Sequence, residues 1–156
     1  MTATIDLDDY DLKILRALQE NADHSMAELG EKVGLSHTPC WRRIKKLEAD
    51  GVIVGKVTLL NPTVLNLGVT VHALVNIKQH DEQSLNAFES AVADVKEIVE
   101  CYSTSGNTDY LLKIVVNSVS DYERFMKQTL AHLPNVASFN STFALKQVKY
   151  TTKLPL

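Results

Sequence analysis

The sequence predicts an α+β protein in two parts: an N-terminal three-helix domain of winged helix-turn-helix type and a C-terminal ferredoxin-like βαββαβ sandwich. Three observations carry this. Apolar residues recur at helical spacing in three successive segments before Gly51, the last two separated by a short turn at Gly34. After Gly51 the texture changes to β-branched and alternating stretches. Those stretches and two further helical ones follow in the order β-α-β-β-α-β, the split βαβ pattern. The expected division is a helical domain over 1–55, a linker strand over 56–66 and a sandwich over 67–156.

The first helix is read from Leu7, Tyr10, Ile14, Leu15 and Leu18, which fall on one face. Ser25 with Glu28 three residues on is a capping box that opens the second, lined by Met26, Leu29 and Val33 and ended by Gly34. The third runs from Ser36 or Thr38 to Asp50 and is closed by Gly51. If Thr38 is the N-cap, Pro39 is the first helical residue; if Ser36 caps, Pro39 is the third. In both cases it lies in the first turn, where a missing N–H leaves no helical bond unmade.

VIVGKVTLL (52–60) reads as extended and Asn61-Pro62 as a turn. VTVHALVNIK, from Val69, alternates as a strand. DEQSLNAFESAVADV reads as a helix with Leu85, Phe88, Val92 and Val95 inward. EIVECYSTS and YLLKIVVN are strands around a tight GNTD turn. SVSDYERFMKQTLAHL is a helix with Tyr122, Phe125, Met126, Leu130 and Leu133 on one side, broken by Pro134-Asn135 and followed by the strand-rich VASFNSTFALKQVKYTT.

The totals exclude several classes. The chain has 156 residues and a formal net charge of −3, so any nucleic-acid contact must come from a local patch and not from bulk charge. No apolar run approaches the ~18 residues of a membrane span. The acidic N-terminus has no signal-peptide core, so a cytoplasmic location with no membrane partner is expected. Cys40 and Cys101 form no disulfide framework and are expected to be reduced, mostly buried thiols. The five histidines are scattered, and no metal site or cofactor is expected. Nucleophile-elbow, Walker and dinucleotide motifs are absent, and Arg124, the one arginine beyond residue 50, has no glycine-rich anion cradle beside it. The chain is therefore not expected to be an enzyme.

The third helix is where charge concentrates. At 100° per residue, Cys40, Ile44 and Leu47 lie within about 60° of one another and form an apolar stripe. Thr38, Arg42, Lys45 and Lys46 point to the opposite half, with Trp41 on one flank and Arg43 on the other. Five basic residues against two acidic ones give residues 36–56 a net +3 on an acidic chain. Arginine can make bidentate contacts to guanine or phosphate, and a helix N-terminus offers donors and dipole to a phosphate. Ser36, His37, Thr38, Trp41, Arg42, Arg43, Lys45 and Lys46 are the candidate contacts to double-stranded DNA. A single reader of this size covers few base pairs, so a two-fold dimer on pseudo-palindromic operators is expected, built on the VIVGKVTLL segment and the exposed sheet edges.

GLSHTPCWRRIKKLEADGVIVGKVTLLNP resembles the recognition helix and linker of the Lrp/AsnC family, the feast/famine regulators, whose usual form is close to GLSxTPCxxRVxxLExxGxIxGYxAxLNP. CYSTSGNTDYLLKIVV resembles the family's second signature, a Gly-Asp-x-Asp-Tyr hairpin. The resemblance covers about residues 6–150. It implies transcription regulation by a DNA-binding domain joined to an amino-acid-sensing domain, in dimers that often stack into octamers or hexadecamers. Trp41 replaces an aliphatic residue and His37 stands where proline is common, both at the groove-facing rim. Lys56 stands where glycine-tyrosine is usual, and Asn107 replaces the first acid of the hairpin signature.

The hairpin has two readings on its own residues. Gly106-Asn107 suffices for a turn between two strands. Asp109 at the mouth of a sheet also suits the ammonium of a zwitterionic amino acid, with free backbone donors near the glycine for its carboxylate. The resemblance places the effector site here, at the contact between dimers. Tyr102, Gly106, Asn107, Asp109 and Tyr110 are assigned to it, Tyr110 being equally suited to the core. The alternative function is a metabolite-binding module that regulates a protein partner without touching DNA.

Overall fold

The structure, a computed structural model, describes residues 5–156. By their contacts the described residues divide into two units, one of residues 5–59 with 149–156, the other of residues 60–148.

In the first unit, α1 (Asp9–Glu20), α2 (Met26–Val33) and α3 (His37–Ala49) pack around Ile14, Leu15, Leu29, Val33, Cys40, Ile44 and Leu47. The stripe expected on α3 is thus the buried one, and burying a side chain such as Ile14 or Leu47 contributes roughly 1.5–3 kcal/mol. Tyr10, expected inward, is 39% exposed; its ring instead faces the cations of Lys13 and Arg43. The expected capping box of Ser25 with Glu28 is formed on α2, and α1 has one as well, Asp8 with Asp11.

The turn from α2 to α3 is a Schellman closure. Gly34 adopts φ 76°, and Leu35 N–H donates to Gly30 C=O at 2.8 Å while Gly34 N–H donates to Glu31 C=O at 3.3 Å. Gly30 is required for space: a Cβ there would lie 2.6 Å from the Leu35 carbonyl oxygen. Ser36, not Thr38, is the N-cap of α3, so Pro39 is the third helical residue. Ser36 makes no side-chain cap bond, and the helix closes through Cys40 N–H to Ser36 C=O at 3.2 Å.

Two expectations at the unit boundaries are corrected. VIVGKVTLL, with the linker strand over 56–66, forms no strand within the chain. Val52 and Ile53 pack on the helical core, but Val54 is 96% and Val57 82% exposed. A strand needs a partner ladder, and none lies beside this segment among the described residues. The last eight residues, assigned by sequence to the sandwich, instead lie with the helical unit: the Gln19 side chain bonds both Leu154 N–H (2.5 Å) and Leu154 C=O (3.3 Å), and Arg16 Nε donates to Leu156 O at 3.2 Å.

The second unit is a four-stranded antiparallel sheet in the order β2-β3-β1-β4, from β1 (Val69–Ile77), β2 (Ile98–Ser103), β3 (Tyr110–Val116) and β4 (Val136–Phe143). The helices α4 (Glu82–Ala93) and α5 (Val119–Gln128) supply the two crossovers. This is the ferredoxin-like arrangement. Alternation puts Val71, Ala73, Val75 and Ile77 of β1 and Tyr110, Leu112, Ile114 and Val116 of β3 in one core with Phe88, Val92, Tyr122 and Phe125. A 3-10 turn, Leu130–His132, ends the α5 region and adds Leu130, and β4 stops at Phe143, short of the strand-rich reading. Neither α4 nor α5 packs on the opposite sheet face; His72, Leu74, Tyr102 and Lys113 project from it.

Candidate DNA-reading helix and effector hairpin

The cations of α3 divide into two kinds. Arg42 and Lys46 are exposed and have no carboxylate partner among the described residues. Lys45 pairs with Glu48 at 2.7 Å. Arg43 turns the other way, with Nη1 2.7 Å from Asp8 and 2.8 Å from Asp11, and the Asp11 side chain is 7% exposed. The amide of Asp11 and then the Arg43 guanidinium hold the Asp8 carboxyl below the usual carboxylate range; the two carboxylates in turn raise the Arg43 guanidinium. Ser36, His37, Thr38 and the half-exposed Trp41 line the exposed start of the helix. Lys56 lies away from this cluster, its Nζ 3.5 Å from the Ala22 carbonyl.

The hairpin between β2 and β3 is held by Thr104, whose N–H donates to Asp109 C=O (2.8 Å) and whose hydroxyl donates to Thr108 C=O (2.6 Å). Gly106 at φ 115° makes the turn; Asn107 keeps a negative φ. Asp109 is tied to the central strand. Its N–H donates to Val75 C=O at 3.0 Å, one carboxylate oxygen accepts from Ile77 N–H at 2.8 Å, and the other meets His80 Nε2 at 2.8 Å. The Ile77 amide, then His80, lowers the Asp109 carboxyl below its ordinary value.

The five hairpin candidates do not converge. Gly106, Asn107 and Asp109 share the turn. Tyr110 is 3% exposed, packs at a 45° tilt against Phe88 with centroids 4.6 Å apart, and donates its hydroxyl to Glu89 at 2.7 Å. Burial, then Glu89, pushes that phenol far above the ordinary range. Tyr102, paired in register with Leu111, lies on the helix-free face, donating to Glu100, which Lys113 holds at 2.6 Å. The Lys113 ammonium, ahead of every other influence, keeps Glu100 below the usual carboxylate range. A cavity of about 350 Å3 lined by Glu89, Val92, Ala93, Cys101, Ser103 and Tyr110 opens between α4 and the β2 edge. Cys101 is exposed, not buried as expected; β2 is an edge strand, so its outer side has no cover.

Sequence reasoning missed Asp8, Asp11, Ile77, His80 and Glu89. Asp8 and Asp11 stand at the capping-box spacing, a local signal, but the contacts that Asp11, Ile77, His80 and Glu89 make with partners 32, 32, 29 and 21 residues away have none. Among the described residues no cluster of three or more potential metal ligands occurs, and no helix is long and apolar enough to cross a membrane.

A three-helix reader with a solvent-facing basic surface, in one chain with a ferredoxin-like sensing domain, defines a ligand-responsive transcription regulator. Residues 7–54 match the winged helix-turn-helix DNA-binding family and residues 70–154 the Lrp/AsnC ligand binding domain. The chain belongs to the Lrp/AsnC family. It is 43% identical over 150 residues to the glutamate uptake regulatory protein of Zymomonas mobilis, covering 96% of this chain and 91% of that one. It is 37% identical to the DNA-binding transcriptional activator DecR of Escherichia coli K12, covering 96% and 99%. An AsnC family transcriptional regulator from Agrobacterium tumefaciens superposes with TM-score 0.91 at 45% identity, over 96% of this chain and 97% of that one. A Neisseria meningitidis transcriptional regulator in complex with L-methionine also gives 0.91, at 37% identity and the same coverage.

Proposed function

We propose that this regulator reads its operators through the outer face of α3 and senses an amino acid or related metabolite at the β2–β3 hairpin. The observation that carries the DNA reading is the pair Arg42 and Lys46, two exposed cations without a carboxylate partner among the described residues, opposite the buried Cys40–Ile44–Leu47 stripe. A helix so oriented can enter a major groove with Arg42 on a guanine edge or phosphate, Lys46 on a phosphate, and Ser36, His37, Thr38 and Trp41 at its leading end. Lys45 can join them by releasing Glu48.

The effector reading rests on Asp109 and on the relatives whose names record glutamate uptake regulation and an L-methionine complex. Both oxygens of Asp109 already have donors. An effector ammonium therefore takes the place of the His80 imidazole and leaves the Ile77 N–H bond intact. Tyr110 serves this site from the core, holding the hairpin onto α4 through Glu89.

The exposed linker supports assembly. Val54, Val57, Leu59 and Leu60 are 59–96% exposed in a single chain, and pairing this segment with a second copy removes both its apolar surface and its unpaired backbone groups. A two-fold dimer on a pseudo-palindromic operator, with further stacking into octamers or larger rings, is the proposed state.

The test is a gel-shift against the DNA upstream of the protein's own coding region, in rising salt, with and without each of the twenty amino acids. Binding that weakens steeply with salt and shifts with at least one amino acid supports the proposal. Salt-insensitive association with a protein partner and none with DNA would overturn it.

A further inference from the structure

Arg43 sits among the basic residues of α3 but is spent inside the domain. Its Nη1 lies between two carboxylates, Asp8 at 2.7 Å and Asp11 at 2.8 Å, and its guanidinium carbon stands 5.5 Å from the centroid of the Tyr10 ring. Asp8 and Asp11 are themselves joined in the capping box of α1. Asp8 accepts from Tyr10 N–H and Asp11 N–H, both at 2.9 Å, and Asp11 accepts from Asp8 N–H at 3.3 Å. The box presents one free oxygen of each carboxylate to the same guanidinium nitrogen. Two negative charges against those of Arg43 and Lys13, which faces the same Tyr10 ring, leave no surplus positive charge here to draw a phosphate. Among the described residues Asp11 is the one charged residue that is buried, and a buried carboxylate persists only when paired.

We infer that Arg43 is a positioning residue: it locks the start of α1 to the middle of α3 and so fixes the pitch of the DNA-reading face, without contacting DNA. Leu29, Cys40 and Ile44 hold the helices together by non-directional packing, which sets separation more firmly than rotation. The latch adds direction, since a guanidinium bonds carboxylates in a fixed plane. Rotation of α3 about its own axis is the motion that would carry Arg42 and Lys46 off the groove. The DNA readout of this inference rests on the function proposed above; the latch itself is testable without DNA.

The experiment compares Asp11→Asn, Arg43→Gln, the double variant and Arg42→Ala with the parent. The readout is anisotropy of a labelled 40-base-pair duplex from the protein's own upstream region, over a salt series, on proteins checked for folding by circular dichroism. The expected result is that Asp11→Asn and Arg43→Gln each weaken binding about tenfold, that the double variant is no weaker than the worse single, and that the dependence of log K on log salt keeps its slope. Arg42→Ala lowers that slope by about one unit. If Arg43 contacted a phosphate, Arg43→Gln would lower the slope by about one, and Asp11→Asn, which leaves the arginine with Asp8 as its one carboxylate among the described residues, would leave affinity unchanged or raise it. That pattern overturns the inference. The Asp8→Asn/Asp11→Asn double variant is the second test should Arg43→Gln fold poorly: with both carboxylates gone a latch weakens binding at an unchanged salt slope, whereas a phosphate contact by Arg43 keeps or gains affinity. Should the parent bind no duplex, the DNA reading fails alone. The latch is then decided by a thermal-unfolding cycle of the same single and double variants, in which additive shifts in Tm contradict it and non-additive ones support it.

Discussion

Replacing Gly30 with alanine should loosen the α2–α3 turn. The added Cβ would sit 2.6 Å from the carbonyl oxygen of Leu35, a backbone atom that cannot swing aside. An ordinary carbon–oxygen contact is near 3.3 Å, so the turn must move by about 0.7 Å. It resists, because Leu35 N–H donates to the Gly30 carbonyl at 2.8 Å and Ser36 caps α3 one residue later. Overpacking of this kind costs about 1–3 kcal/mol, and the restrained backbone puts it in the upper part of that range. Alanine returns about 1 kcal/mol through helix propensity. The net loss is about 1–2 kcal/mol, or a fall of roughly 4–16 °C in the Tm of a domain this size. Thermal denaturation followed at 222 nm measures it, and the anisotropy assay should show weaker DNA binding below the transition, since the displaced turn carries the start of α3. A Gly30→Ala protein as stable as the parent, or more so, would refute the close-approach argument.

Other outcomes follow from the second unit and the linker. Asp109→Asn should abolish or shift the amino-acid response in calorimetric titration while ligand-free DNA binding stays near normal; an unchanged response would reduce Asp109 to a turn residue. Because the folded-state pKa of Asp109 lies below its ordinary 3.8, its carboxylate adds stability above that pH and loses it as pH falls through the lowered value. The parent's Tm should therefore drop more steeply than that of Asp109→Asn as pH falls below about 4. Phe88→Ala removes a fully buried ring packed against Tyr110 and should cost about 3–5 kcal/mol in chemical denaturation; a cost under about 1 kcal/mol would mean the α4 contact is not part of the core. Val57→Asp with Leu60→Asp should shift the assembly toward monomer in sedimentation velocity, whereas an unchanged distribution would place the interface elsewhere.

Local chemistry was legible in the sequence and long-range chemistry was not. The Ser25–Glu28 box and the Cys40–Ile44–Leu47 stripe depend on spacings of three and four residues, and both stand as read. The start of α3 was ambiguous because Ser36 and Thr38 are both good caps; the helix uses Ser36 through its backbone alone, so side-chain identity held no deciding signal. VIVGKVTLL has strand composition, but strand formation depends on a partner that composition cannot supply. Arg43 was placed on a flank of α3 by phase, correctly, yet its partners belong to another helix. Tyr110 could have been settled: it shares the parity of Leu112, Ile114 and Val116 along β3, and that alternation points it into the core.

The central claim is that DNA is read by the face of α3 that carries Arg42 and Lys46. Its most direct test is the salt dependence of duplex binding for the parent and for the Arg42→Ala/Lys46→Ala double variant between about 50 and 200 mM salt. The account predicts a parent slope set by several phosphate contacts and a variant slope smaller in magnitude by about two if both side chains lie on phosphates. If Arg42 instead reads a base, the slope falls by about one and roughly 1–3 kcal/mol of sequence discrimination is lost. A folded double variant with the parent's affinity, slope and sequence preference would contradict the account.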